Sequence, residues 1–332
     1  MQFSVESWAP EYGASVEADL EDVSERVDAT VERALHDWAP ITPRPQQRPD
    51  RLQFVDGVRR IDATIWIHRG DRSHAGVCAS VAAGIVECRG PSAVVTEARV
   101  RRALIAPAVA EADPVRTRHG TYESIGTTGD DPGSAYLAIH ARMTALEQSL
   151  VTQRTIVRSL DSTVSSVVWP ESSLTTDECD LVVFDGPLRG RDHPCGIGYV
   201  KTQHVQYLPA EVVPILGRLD DGARTPLVRI GERPPWARWS WYLRLPGVRS
   251  HPLAGVVRIE LPGSIALDRA IERAELISSC LPRFASAAHK EPRAPQNLTP
   301  IAGLEQRLRH LLGDPILLER SLRLAAAAPV AF

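Results

Sequence analysis

The chain has 332 residues, of which 43% are hydrophobic and 24% charged, as is ordinary for a globular protein. At this length it can bury a sizeable core as one large domain or two small ones. Its formal net charge of −3 argues against a generally basic nucleic-acid coat, although arginines cluster locally.

The N-terminal residues, the lack of a long apolar run and the cysteines predict a cytoplasmic protein. Met1 to Leu20 is acidic and lacks the apolar segment of a secretory signal, and no run approaches the roughly 20 apolar residues of a membrane span. The five cysteines have irregular spacing, which fits neither a disulfide framework nor a zinc site. Cys179 and Cys280 lie in apolar surroundings and are expected to be buried thiols.

The first 134 residues are predicted to change from helix to strands. Apolar residues recur at helical spacing over 1–38, and a proline-rich linker extends this N-terminal helical segment to residue 48. Strands separated by Asp-Gly and Arg-Gly-Asp-Arg turns are expected to form a meander. These strands are Phe54-Val55, Ile61 to Ile67 and Ala75 to Val86, with another from Val94 to Ile105. Residues 107–134 are predicted to be a loop or insertion.

The remainder is predicted to alternate between strands and helices. Helices are expected at Ala135 to Leu160, Val212 to Leu219 and Leu267 to Cys280. Strands are expected at Leu181 to Phe184, Gly196 to Lys201, Arg224 to Ile230, Trp239 to Leu245 and Gly255 to Leu261. Leu304 to Leu312 and Leu317 to Leu324 would be closing helices in a C-terminal segment, 301–332.

Two apolar strands end in Asp-Gly. Leu181 to Phe184 runs into Asp185 and a Gly-Pro break, and Phe54-Val55 runs into Asp56. Most Asp-Gly pairs are simple turns, but each of these follows an apolar strand that looks buried. If both strands deliver their acid to one sheet edge, the two carboxylates would meet and favour a divalent cation. Mg²⁺ or Mn²⁺ there would act as a Lewis acid and activate water, and two ions bridged by one aspartate would clamp a phosphodiester.

The acid that would complete such a site is left open. Glu147 is the best candidate on the central helix, although a solvated helix charge is the simpler explanation. The other options are Glu171, Glu178 and Glu260. His289 lies in a polar segment and is either a catalytic group or a surface histidine.

Cations and aromatic residues near these acids suggest a phosphate-bearing substrate. Lys201 could hold a phosphate, and arginines follow both acids, at Arg59 and Arg60 and at Arg189 and Arg191. The run Trp236 to Arg244 combines aromatic faces with arginine, the ingredients for binding single-stranded nucleic acid through Tyr242 and Arg244. The alternative is a strand whose tryptophans fill the core.

Five short motifs follow one another in a particular order. They are Phe54-Val55-Asp56-Gly57, Leu181 to Leu188, Gly198-Tyr199-Val200-Lys201, Val257-Arg258-Ile259-Glu260, and Leu281-Pro282 with Ala288-His289. In this order the motifs resemble the NurA nucleases over residues 50–300. The resemblance implies an α/β fold with an RNase H-like mixed sheet flanked by helices, plus helical N- and C-terminal extensions.

By the same resemblance, Asp56, Asp185 and Glu147 would bind metal and His289 would be the late catalytic histidine. The implied function is Mn²⁺- or Mg²⁺-dependent hydrolysis of DNA, in single strands or at ends during repair. The implied partners are a second copy of the chain and a HerA-like hexameric ATPase. The alternative is a catalytically degenerate module that binds DNA or the ATPase without cutting. A phosphatase or other hydrolase would need a P-loop or Gly-x-Ser-x-Gly motif, and the sequence has neither.

Overall fold

The computed structural model describes residues 2–5, 26–47, 49, 51–161, 181–188, 191, 193–201, 206–232, 236–247, 249, 252–291 and 293–327. In these ranges the chain forms a mixed sheet of twelve strands with helices packed against it. The strands are β1 Gln2–Val5, β2 Val27–Asp28, β3 Arg51–Arg69, β4 Arg72–Arg89, β5 Ser92–Pro107, β6 Val115–Thr117, β7 Gly120–Thr127, β8 Leu181–Asp185, β9 Gly196–Val200, β10 Val228–Ile230, β11 Arg238–Arg244 and β12 Val256–Pro262. The α-helices are α1 Pro132–Asp161, α2 Ile215–Arg218, α3 Leu267–Cys280, α4 Thr299–Leu311 and α5 Pro315–Ala327.

The predicted meander is confirmed, but its first strand is longer than expected. β3, β4 and β5 pair antiparallel in sequence, and β3 continues through both segments that the sequence divided. The Asp56-Gly57 pair is therefore not a turn. It lies inside β3, with Asp56 opposite Gly84 of β4, and the only irregularity of this pairing is a bulge between Ile61 and Ala63. Asp-Gly is more often found in turns, but here neighbouring strands hold it extended.

The strand that ends at Asp185 is confirmed as a buried central strand. β8 pairs parallel with β3 on one side and with β9 on the other. Leu181 to Phe184 are all buried, as expected for a parallel strand covered on both faces. β8 stops because Gly186 has a φ of +104°, a conformation that favours glycine, and Pro187 follows.

Helices cover both faces of the central strands. Side chains of β3 and β8 alternate between the faces, so Phe54 and Val183 pack with α3 and α4 while Val55 and Phe184 pack with α1. The helices predicted at 135–160, 267–280, 304–312 and 317–324 are confirmed as α1, α3, α4 and α5. The predicted domain boundaries stay a prediction, although α4 packs directly on β3 and β4.

Two local expectations need correction. The N-terminal segment is not helical where it is described, since β1 pairs with β3, β2 pairs with β10, and Leu35–Asp37 is a single 3-10 turn. Residues 6–25 of that predicted helix lie outside the described residues. Strand pairing also overrides the loop predicted at 107–134, because β7 extends the sheet beside β5 and pairs with β6.

The cysteines differ in state. Cys280 is a buried free thiol, as expected, and Cys179 lies outside the described residues. Cys195 is disulfide-bonded, which the irregular cysteine spacing did not predict. Among the helices described here, none has the length and apolar character needed to span a membrane.

Candidate metal centre

Three acidic side chains meet at the end of β8. Asp56 of β3, Asp185 of β8 and Glu305 of α4 each place one carboxylate oxygen within 4.8 Å of the others. Strand register explains the two aspartates: Val55 lies beside Phe184 in the parallel β3–β8 pair, so the next residues of both strands are neighbours. Side-chain alternation then directs both carboxylates to the face covered by α4.

The close packing of α4 supplies the third acid. Gly84, opposite Asp56 on β4, has no side chain, and a β-carbon there would lie only 3.0 Å from Leu304 Cδ1. The helix can thus approach the sheet where Asp56 lies, and Glu305 is the residue after Leu304. Sequence reasoning missed Glu305, because an acid in an amphipathic closing helix resembles an ordinary solvated charge.

The environment of Asp56 fits a bound cation. Its Oδ1 accepts the Gly57 N–H at 2.7 Å, while its buried Oδ2 has no hydrogen-bond partner in the described part of the chain. Burial raises the pKa of Asp56 well above its usual range, and the Asp185 carboxylate raises it further. Burial also raises the pKa of Asp185, against the opposing effect of Lys201. A buried carboxylate oxygen without a partner is costly, and oxygen-rich acidic clusters are what Mg²⁺ and Mn²⁺ prefer.

Lys201 lies inside the cluster. Its Nζ donates to Asp185 Oδ2 and to Asn297 Oδ1, both at 2.6 Å, and lies 3.8 Å from Glu305 Oε1. The ammonium group therefore offsets part of the negative charge of the acids. The sequence did not predict this role of Lys201 as a counter-charge to the acids. Its predicted contact with phosphate stays a prediction.

Glu147 approaches from the opposite face of the sheet. It lies on α1 and packs against Gly57, where a β-carbon would be 2.6 Å from Glu147 Oε1. Its Oε2 accepts hydrogen bonds from Arg191 Nε at 3.1 Å and Nη2 at 2.5 Å. Burial raises the pKa of Glu147, and Arg191 opposes that effect. The structure thus brings Glu305, and not Glu147, into the three-residue cluster.

The other candidate acids lie elsewhere. Glu260 is fully buried and bonded to Arg238 and Arg258, and it accepts the Leu188 N–H at 2.8 Å. Although burial works to raise it, the pKa of Glu260 is lowered by these two arginines. Glu260 is therefore engaged in holding the segment just after Asp185. Glu171 and Glu178 lie outside the described residues.

The late histidine is separate from the acids. His289 lies in an exposed turn between α3 and α4 and does not belong to the cluster. Its predicted catalytic role stays a prediction.

The aromatic and basic run is part of the core. Every residue of β11 is buried, including Trp239 and Trp241. Tyr242 is fully buried, and the Arg244 guanidinium donates to the carbonyl oxygens of Leu216, Pro252 and Ala254. Because both side chains are buried, the structure does not favour the predicted contact of Tyr242 and Arg244 with substrate, which stays a prediction. The alternative of a core strand is confirmed.

Arg189 lies outside the described residues, whereas Arg59 is exposed beside Gly57.

Comparisons with known proteins are sparse. No protein-family model and no curated protein sequence matches the chain. Among solved structures, the NurA nuclease from Sulfolobus solfataricus is similar with a TM-score of 0.47 and 12% sequence identity, covering 84% of this chain and 86% of that one. A TM-score below 0.5 supports no conclusion about function, so the interpretation depends on the side chains themselves.

Proposed function

We propose that the chain is a divalent-metal-dependent nuclease that hydrolyses phosphodiester bonds in DNA, in single strands or at ends during repair. The observation that carries the proposal is the buried cluster of Asp56, Asp185 and Glu305, in which Asp56 Oδ2 lacks a partner among the described residues. The order of sequence motifs resembling the NurA nucleases supports it, as does the mixed α/β sheet, for which an RNase H-like fold is proposed.

The residues of the site are of two kinds: acids that would bind the metal ion, and side chains that hold those acids in position. Asp56, Asp185 and Glu305 would hold Mn²⁺ or Mg²⁺, which when bound acts as a Lewis acid and lowers the pKa of water. Lys201 orients the Asp185 carboxylate, and Asn297 holds Lys201 in place. The three acids alone would repel a phosphodiester, so the substrate is expected to approach productively only when a cation offsets their charge.

Further proposals rest on the motif resemblance alone. They are a homodimer, cooperation with a HerA-like hexameric ATPase, and a catalytic His289. A cytoplasmic location is proposed from the sequence features of the N-terminus and the cysteines.

A second candidate function is favoured by a specific observation. Lys201 already neutralises part of the cluster, and Glu147 is held by Arg191. A module of this kind could bind DNA or an ATPase without cutting. Isothermal calorimetry with Mn²⁺ separates the two functions, because a catalytic cluster should bind the ion and the degenerate module should not.

Asp185→Ala should fold but lose Mn²⁺-dependent cleavage of labelled single-stranded DNA. The side chain lies at the end of β8, so its removal leaves the buried part of the strand intact while it deletes a ligand. Circular dichroism checks the fold, and gel analysis measures cleavage. Full activity in this variant would contradict the proposed site.

Glu305→Gln and Glu147→Gln should differ in Mn²⁺ affinity. We expect about tenfold or greater weakening for Glu305→Gln, which changes a direct ligand, and a smaller effect for Glu147→Gln, which acts through its neighbours. Calorimetric titration of both variants measures the difference. The reverse order of effects would assign Glu147 as the third ligand.

A further inference from the structure

A cleft of about 550 Å³ opens beside the acid cluster. Its walls come from β3, from the first turns of α1 and from α4, and Glu305 belongs both to the cleft lining and to the cluster. The lining residues are Gly57 to Ile61, Tyr136, Ile139, Glu305, Arg309 and Leu312. A molecule in this cleft would therefore lie next to the proposed metal centre.

One wall carries an ordered aromatic and cationic pair. The Arg59 guanidinium carbon lies 4.6 Å from the centroid of the Tyr136 ring, and Arg59 also donates a hydrogen bond to Tyr136 Oη. On α1, the His140 ring lies 4.9 Å from the Tyr136 ring and its Nε2 is 3.3 Å from the same hydroxyl. Because these contacts hold the half-exposed ring and guanidinium in position, a planar group can stack on them at low entropic cost.

The other walls are cationic. Arg309 is exposed and lies one helical turn after Glu305, so both side chains are on the same side of α4. Arg60 is held in place by Asp62 Oδ1 at 2.9 Å and by the Gly313 carbonyl at 2.8 Å. With Arg59, three guanidinium groups line a cleft whose inner end is acidic. This arrangement suits a ligand that has both a negative charge and a flat ring.

We infer that this cleft binds the nucleotide adjacent to the cleaved phosphodiester, with its base against the Tyr136–Arg59 pair and its phosphate on Arg309. The volume is within the range of pockets for a molecule of nucleotide size. A base inside a duplex is covered by its neighbours, whereas an unpaired base can stack on an aromatic or guanidinium plane. The cleft therefore selects single-stranded DNA or a frayed end. This inference rests on the proposed function.

Binding of labelled oligothymidine to the full chain tests the inference. Fluorescence anisotropy is measured with Mn²⁺ present, so that the acids of the cluster do not repel the strand, and with phosphorothioate linkages that resist cleavage; a blunt duplex of equal length and linkage is the second ligand. Tyr136→Leu should weaken single-strand binding about tenfold and leave duplex binding nearly unchanged. Tyr136→Phe keeps the ring and should bind nearly as tightly as the unchanged protein.

Arg309→Gln should weaken binding and lower the slope of log Kd against log salt concentration by about 0.7, the loss of one phosphate contact. The control is Arg307→Gln, an exposed arginine on the same helix that does not line the cleft, and it should change neither quantity. If Tyr136→Leu and Arg309→Gln behave like this control, the cleft assignment is overturned. The inference also fails if Tyr136→Phe loses as much affinity as Tyr136→Leu.

Separate measurements keep this result distinct from the proposed function. Mn²⁺ binding and Mn²⁺-dependent cleavage by the unchanged protein test the nuclease proposal without reference to the cleft. If those are absent while the cleft variants lose single-strand affinity, the nuclease proposal fails and the nucleotide site stands. If cleavage is present and the cleft variants bind normally, the nuclease proposal stands and the nucleotide site fails.

Discussion

Asp56→Asn is expected to stabilise the metal-free protein and to reduce sharply its stabilisation by Mn²⁺. Asn keeps the acceptor for the Gly57 N–H and removes a buried charge that lies beside Asp185. Relief of burial and like-charge repulsion should add about 2 kcal/mol to the free energy of unfolding in EDTA at neutral pH. By contrast, Mn²⁺ at 100 times its Kd should stabilise the unchanged protein by about 2.7 kcal/mol and the variant by much less.

The stability that Asp56→Asn adds in the metal-free protein should decrease as the pH is lowered. The folded-state pKa of Asp56 is raised above its unfolded value of about 4. The folded protein therefore binds the proton more tightly, and the metal-free protein loses stability as the pH rises from the unfolded value through the folded one. The variant lacks this loss, so its advantage should shrink toward pH 4.

Urea unfolding in EDTA and in Mn²⁺, at several pH values, measures both effects. Asp71→Asn, an exposed acid in the turn between β3 and β4, is the matched control and should change neither stability nor metal response. An Asp56→Asn protein that is less stable in EDTA, or that is stabilised by Mn²⁺ as much as the unchanged chain, would contradict the assignment of Asp56.

Lys201→Met is expected to destabilise the metal-free protein, whereas Asp56→Asn is expected to stabilise it. Met retains the length of the side chain but deletes the ammonium that bonds Asp185 and Asn297. Two acids and an amide oxygen then lose their buried cation, and the free energy of unfolding in EDTA should fall by about 2–3 kcal/mol. A divalent ion can supply the missing charge, so Mn²⁺ should stabilise this variant more than it stabilises the unchanged protein.

Urea unfolding with and without Mn²⁺ also measures this prediction. The control is Lys290→Met, because Lys290 lies in an exposed turn and should contribute little. Equal stability of Lys201→Met and the unchanged protein in EDTA would show that the ammonium does not offset the acids. A smaller Mn²⁺ response in the variant would instead indicate that Lys201 helps to place the ligands for the ion.

Local pattern predicted the parts of the fold that depend on residues close together in sequence. The apolar run of β8 and the Gly-Pro break after Asp185 are sufficient to define a buried strand and its end, because burial and φ are local requirements there. The periodicities of α1 and α3 are likewise local properties. The apolar residues before Asp56 identified it as a partner of Asp185. The strand β3 nevertheless does not end at Asp56 but continues to Arg69.

Burial of polar and aromatic residues was less predictable. The run that ends in Tyr242 and Arg244 has the composition of a nucleic-acid surface, and its placement between β10 and β12 makes it core. No local pattern separates the two outcomes, because an arginine can be buried wherever carbonyl oxygens surround its guanidinium group.

The sequence by itself therefore indicated the two aspartates, the buried strand that ends at Asp185, and the helices α1, α3, α4 and α5. Only the tertiary structure decided which other side chains join them. Glu305 lies far from both aspartates in sequence and meets them because Gly84 lets α4 approach the sheet. Glu147 has the more suggestive position in sequence, but it arrives on the opposite face, where Arg191 binds it. The physical reason is the alternation of side chains along a strand: the face that each helix covers determines which acid reaches Asp56 and Asp185.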